Sequence, residues 1–299
     1  MALYSSINLF FISLFTRLVP RCLHAPFALF TGGLFYLLKR EQRRGVRANL
    51  RVVTGQERVE LLVLKTFYKF ARNWTDIMLT MRLRGERLFS LIGRTSDDRP
   101  LVEALARGNG AILCAPHLGN WELGGLGLAD RGYPINVLTF REPDEKVNAQ
   151  RELLRRERGI RFIYVDRDDT SPLAIIEAVN ALRRNEVLAI LGDRDGSSHT
   201  RTMEFFGRPT PIPLGASYLA LASGAPVIPV FVLLEGGRYA TIMEKAISFG
   251  NGSGRDEAIR TGMERLLRVF EDYIRRYPDQ WYNFFDYWGK QAANGRKTE

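Results

Sequence analysis

At 299 residues, 45% hydrophobic and 25% charged, the chain can bury one large core without disulfide or metal staples. Its 36 arginines and 7 lysines against 33 acids give a formal charge of +10, which suits anionic partners, while no helix-turn-helix, zinc-finger or RNA-binding signature points to nucleic acid. Three histidines and two cysteines, Cys22 and Cys114, without C-x2-C or H-E-x2-H, leave no basis for a metal centre or a disulfide and suit a reducing compartment.

The first forty residues contain no acid. Two apolar stretches, Ile7 to Val19 and Ala25 to Leu38, are broken by Arg17, Pro20, Arg21 and His24, so neither is an uninterrupted membrane span. Lys39, Arg40, Arg43, Arg44, Arg47 and Arg51 follow at once. Apolar surface followed by dense positive charge predicts a helical, membrane-associating segment over residues 1–51 that lies on an anionic leaflet. Residues 52–299 are then the catalytic domain.

From Gln56 to Arg84 the spacing of Val59, Leu62, Val63, Phe67, Phe70, Trp74, Ile77, Met78 and Met81 is helical with one apolar face. Asp97 to Arg107 reads as a second helix. Ala111 to Ala115 is a run of small and apolar residues that suits a buried parallel strand, and Pro116 ends it. His117 follows in a turn with Gly119, and Asn120 is a good N-cap for a helix that begins at Trp121. Glu122 lies in that helix's first turn. On one continuous helix His117 and Glu122 would diverge by about 140°, but a loop histidine can face a first-turn carboxylate. In that arrangement Glu122 fixes the imidazole tautomer and His117 is free to act as a general base. His199 and Glu204 repeat the same spacing without the strand and capped helix, so context and not spacing selects His117.

Strands are expected at Ile135 to Thr139, Arg161 to Val165, Val187 to Leu191, Val227 to Leu234 and Tyr239 to Lys245, alternating with helices at 143–158, 172–185 and 213–223. The pattern predicts an α/β fold: a mixed, mostly parallel central sheet with helices on both faces. Two further helical stretches, Arg255 to Arg276 and the aromatic tail Trp281 to Trp288, complete the chain. Gly192-Asp193-Arg194-Asp195-Gly196 follows a strand, where open α/β sheets keep their ligand crevices, so Asp193 and Arg194, with Asn120, are candidate substrate contacts. Cys114 lies three residues before His117, but within ILCA it reads as a small core residue. There is no P-loop and no G-x-S-x-G elbow, and GLGLAD at 125–130 lacks the third glycine of a dinucleotide fingerprint.

APHLGNWELGG, GDRDG, EFFGRPTPIPLGA, SGAPVIPVFV and YPDQWYNFFDYW, in this order, resemble the late acyltransferases of lipid A biosynthesis and relatives that acylate other membrane glycolipids. The resemblance implies an H-x4-D/E acyltransferase that moves a fatty acyl chain from a thioester to a lipid hydroxyl. The acceptor would be a lipid A precursor, or alternatively a phosphoinositide mannoside, another glycolipid or a lysophospholipid. A non-catalytic lipid-binding protein of the same fold is the other class to set against it. The resemblance also implies an arginine near the oxyanion, with Arg155 aligning best and Arg156 next, and a Phe205-Phe206-Gly207-Arg208 loop flanking the acyl pocket. It implies no cofactor beyond the donor substrate, acyl carrier protein or coenzyme A. The acid-free apolar start and the arginine cluster after it predict a place on the cytoplasmic face of the cell inner membrane. The arginines at 151, 155, 156 and 158 suggest a docking face for an acidic carrier protein.

Overall fold

The computed structural model describes residues 14–141, 145–165, 172–194, 199–250 and 254–289. Helices α1 (His24–Leu38), α2 (Arg40–Thr54), α3 (Glu60–Thr80) and α4 (Gly85–Phe89) precede strand β1 (Ile92–Thr95). There follow α5 (Arg99–Ala106), β2 (Ala111–Ala115), α6 (Trp121–Asp130), β3 (Ile135–Phe140), α7 (Glu145–Arg156), β4 (Arg161–Val165), α8 (Leu173–Arg183) and β5 (Val187–Leu191). The chain continues through β6 (Thr200–Phe205), β7 (Arg208–Pro213), α9 (Gly215–Ser223), β8 (Val227–Glu235), β9 (Arg238–Met243) and α10 (Arg255–Arg276).

Seven strands form one sheet in the order β1-β9-β8-β2-β5-β3-β4, parallel throughout except for the β8–β9 pair. The expected mixed, mostly parallel α/β sheet is therefore present. Strand β2 is central and every one of its residues is buried, which explains why it reads as a continuous apolar run. Successive side chains point to opposite faces. Ile112 and Cys114 enter a core with Ala178, Leu219 and Phe270 of α8, α9 and α10, whereas Leu113 joins Leu101 of α5 and Leu123 of α6.

Helix α4 and strand β1 have no counterpart in the sequence-based expectation, and two further elements differ from it. Residues 200–213 form an antiparallel β6–β7 hairpin, with Phe206 and Gly207 at φ of +54° and +69° as the two-residue turn. Pro209, Pro211 and Pro213 all fall at alternate positions of β7, so Arg208, Thr210 and Ile212 retain their N–H groups for the ladder. The aromatic tail is the second difference. Residues 281–286 are not helical, because Trp281 bridges to Leu118 and the Tyr282 N–H donates to the His117 carbonyl at 2.9 Å. Tertiary pairing overrides the local helical pattern there.

Helix α2 runs across the expected boundary at residue 51 and packs against residues 283–287. A β-carbon on Gly45 would come within 2.6 Å of the Phe285 carbonyl carbon, so the α2 and tail backbones touch directly. Asn49 donates to the carbonyls of Asn283 and Phe285 at 2.9 and 2.8 Å and accepts from the Tyr287 N–H at 2.8 Å. Helix α1 lies along α3, where Gly32 permits equally close contact with Phe67 and Tyr68. Replacing Asn49 by leucine leaves buried tail groups without partners and should destabilise the protein by about 2 to 4 kcal/mol, read as a lowered unfolding midpoint in denaturant.

Candidate active site

Parallel register brings the site together. Ala115 pairs with Leu191 at the ends of β2 and β5, so His117 and Asp193 stand at equivalent positions two residues beyond neighbouring strands. His117 Nδ1 lies 2.5 Å from Asp193 Oδ1, and the same oxygen accepts the His117 backbone N–H at 3.0 Å. The second carboxylate oxygen accepts from Trp281 Nε1 at 2.9 Å, and the Tyr287 hydroxyl donates to the Asp193 carbonyl. Asp193 is fully buried by these partners. Two glycines make the approach feasible: a β-carbon on Gly119 would strike the Val232 carbonyl oxygen at 2.0 Å, and one on Gly192 would strike Cys114 Sγ at 2.6 Å. Gly119 also sits at φ +71°, a conformation that L side chains avoid.

Burial pushes the His117 imidazole below its ordinary value of 6.5, the Arg194 charge adds to this, and Asp193 opposes it. Burial alone would raise the Asp193 carboxyl, but the charge and hydrogen bond of His117, with Arg194 and Trp281, bring it down to about 2. An ionised carboxylate can only accept, so the proton between the two groups belongs to Nδ1. Nε2 then carries the lone pair of a general base. The Trp121 ring packs on the imidazole at a centroid distance of 5.5 Å, with the two planes at 72°.

The carboxylate that holds His117 is thus Asp193 and not Glu122. Glu122 instead forms an ion pair with Arg155, whose guanidinium also stacks over Phe162 at 4.3 Å. The cause is local: the first turn of α6 points Glu122 toward α7, while the β5 terminus sits directly beside the His117 turn. Asn120 is likewise not a substrate contact in this geometry. It is fully buried and its Oδ1 accepts the Leu123 N–H at 3.0 Å, the N-cap role its position suggests.

Among the arginines, Arg155 borders the cavity described below, whereas Arg156 is exposed and pairs with Glu152 one turn back. Arg158 has a structural task. It is buried, bonds Asp130 at 3.0 Å and donates to the carbonyls of Met81 and Leu83, satisfying the end of α3. The expected carrier-docking face on α7 therefore loses Arg155 and Arg158 to internal partners; the Arg151 side chain lies outside the described residues. Arg194 is held by Asn283 Oδ1 at 2.6 Å and the Tyr282 carbonyl at 2.5 Å and borders the same cavity as His117. Asp195 of the acidic motif lies outside the described residues.

His117 opens on a cavity of about 820 Å³. Its walls include Phe70, Trp74 and Ile77 of α3, Leu123 and Leu128 of α6, and Tyr218 and Leu219 of α9. Phe205 and Phe206 do not border it. They pack on Trp281 and Trp288 and so support the tail that holds Asp193. His199 borders the cavity with its ring edge-on to Tyr218. The Cys114 thiol is fully buried and pushed well above its ordinary value by burial, then by Asp193, so it is no thiolate nucleophile. No cluster of metal-ligating side chains exists among the described residues.

Residues 4–290 match the family of bacterial lipid A biosynthesis acyltransferases. The chain belongs to this family. It is an acyltransferase. It is also similar to the phosphatidylinositol mannoside acyltransferase of Mycobacterium tuberculosis strain H37Rv, 24% identical over 274 residues that cover 90% of this chain and 84% of the relative. The protein of that name from Mycolicibacterium smegmatis is 24% identical over 273 residues, covering 90% and 87%. The relatives of this acyltransferase therefore carry the substrate name that the sequence resemblance placed second, while the family description carries the first.

If Asp193 sets the tautomer, Asp193→Asn should lower kcat by about 10² to 10⁴-fold with the fold intact, and Glu122→Gln should lose less. Because His117 must be neutral to accept a proton, kcat/KM should rise with pH through an apparent pKa below about 6.5 and then level off. An acid limb centred above 7, or an undiminished Asp193→Asn enzyme, would remove this pair from catalysis.

Proposed function

We propose that this acyltransferase moves a fatty acyl chain from an acyl thioester to a hydroxyl of a membrane glycolipid. The observation that carries the proposal is the His117 imidazole, oriented by buried Asp193, facing a largely apolar cavity bordered by Arg155 and Arg194. In the first step the acceptor oxygen attacks the thioester carbonyl as its proton passes to His117 Nε2. The tetrahedral oxyanion is stabilised by the positive potential of Arg194, the cation whose field also acts on His117. Collapse breaks the carbon–sulfur bond, and the departing thiolate takes the proton back from the imidazolium. No acyl-enzyme and no cofactor beyond the donor enters this scheme.

The family description favours a lipid A precursor as acceptor, and the names of the mycobacterial relatives favour a mannosylated phosphatidylinositol. Incubation of labelled acyl coenzyme A or acyl carrier protein with each acceptor, followed by mass spectrometry of the lipids, separates the two. Wild type should give one labelled glycolipid, and His117→Ala should reduce its rate by about 10² to 10⁴-fold. A labelled product formed equally by the His117→Ala protein would sink the mechanism.

We further propose attachment to the cytoplasmic face of the inner membrane through α1. No single described helix is long and apolar enough to cross a membrane; α1 with its preceding turn and α2 pass that test only as a pair bent by 98°. One face of α1 packs on α3 through Ala28 and Gly32, while Phe30, Leu34, Leu37 and Leu38 stand exposed on the other. Exposed Arg40 and Arg44 follow at the start of α2, placed for anionic headgroups. The paired change Phe30→Glu and Leu37→Glu alters side chains that are 70% and 66% exposed, so stability should hold while co-sedimentation with anionic liposomes falls severalfold. Undiminished co-sedimentation would remove α1 as the attachment surface.

A further inference from the structure

Helix α3 carries several buried polar side chains, and all but one are satisfied. Thr66, Thr75 and Thr80 donate to carbonyls of their own helix at 2.8, 3.0 and 2.9 Å. Asp76 accepts from the Tyr239 hydroxyl at 2.7 Å and from Arg72 at 3.4 Å. Asn73 is the exception. It is only 3% exposed, and its Oδ1 has no hydrogen-bond partner among the described residues. Asn120 and Asn283 also have an unpartnered amide nitrogen, but of the three only Asn73 borders the cavity that His117 faces.

Phe70, Trp74 and Ile77 of the same helix and Leu123 of α6 border that cavity with it. An unsatisfied buried amide is unfavourable in the empty protein, and an alkyl chain alone would leave it so. The arrangement makes sense when a bound molecule brings a hydrogen-bonding group to that depth. A flip of the amide exchanges its oxygen and nitrogen without altering this requirement.

We propose that Asn73 is a binding residue that reads a polar group carried by the acyl thioester, either an amide of the pantetheine arm or a hydroxyl on the acyl chain. This rests on the thioester-donor reading above. The chemistry is the same for both sources, and the donors tell them apart. Asn73→Leu is compared with wild type on palmitoyl coenzyme A, 3-hydroxypalmitoyl coenzyme A and S-ethyl thiopalmitate, with a bacterial membrane glycolipid extract as acceptor. The thermal midpoint of each protein is recorded alongside.

Loss of one uncharged hydrogen bond predicts a fall of about tenfold in kcat/KM. If the arm is read, both coenzyme A donors lose this factor and the ethyl thioester does not; if the chain hydroxyl is read, only the 3-hydroxy donor loses it. In either case the thermal midpoint should not fall, because leucine removes a buried, unsatisfied polar group. Equal losses on all three donors, with or without a lowered midpoint, would mark a structural residue and overturn the proposal. So would unchanged rates on all three. A wild type inert toward every thioester would instead reject the donor reading itself, and this inference with it.

Discussion

The contact between His117 and Asp193 depends on a register and not on a motif. Neither residue is placed by its own segment alone: each extends two residues past a strand, and the β2–β5 pairing sets the strands so that the two extensions coincide. Much of the surrounding structure serves to keep a buried carboxylate ionised there. Desolvation would favour the neutral acid. The charge and side-chain hydrogen bond of His117, then the Arg194 charge and the indole of Trp281, outweigh it. The tail that brings Trp281 is itself held by Asn49 of α2, and by the Gln280 side chain, which exchanges two hydrogen bonds with the Leu234 backbone. A helix near the start of the chain and a segment near its end thus meet at the His117–Asp193 pair.

Features that follow from local periodicity were legible in the sequence. The buried apolar run of β2, the Asn120 cap and the amphipathic face of α3 are set by residues within one turn or one strand, and their positions agree with expectation to within a few residues. What was not legible depends on partners distant in sequence. Glu122 is five residues from His117 and Asp193 is 76 away, yet the nearer acid bonds Arg155 because helix direction and not sequence distance decides which groups face each other. The glycine and aspartate of GDRDG were visible as a crevice at a strand end. Their role beside His117 needed the strand order.

Charge patterns misled in a similar way. Four arginines within eight residues of α7 and its end look like one basic face, but at 3.6 residues per turn they cannot all share a side. Arg155 and Arg158 turn inward, to Glu122 and to the end of α3, and Arg156 turns to solvent. The tail shows the opposite error. Its dense aromatics read as a helical stripe, whereas in space they stack across the β6–β7 hairpin, whose alternating prolines hid a strand. Where a segment's hydrogen bonds are supplied by other parts of the chain, its own periodicity carries little information.

All four tryptophans of the chain gather around the same place. Trp74 and Trp121 border the cavity, Trp281 is bonded to Asp193, and Trp288 lies 5.9 Å from Trp281. The indole emission of this protein therefore originates entirely within the working region, with no distant chromophore to dilute it. A molecule entering that cavity, protonation of the acid–imidazole pair or loosening of the carboxyl-terminal segment would each alter the polarity or quenching felt by these rings. The fold thereby furnishes an intrinsic optical gauge of its own occupancy.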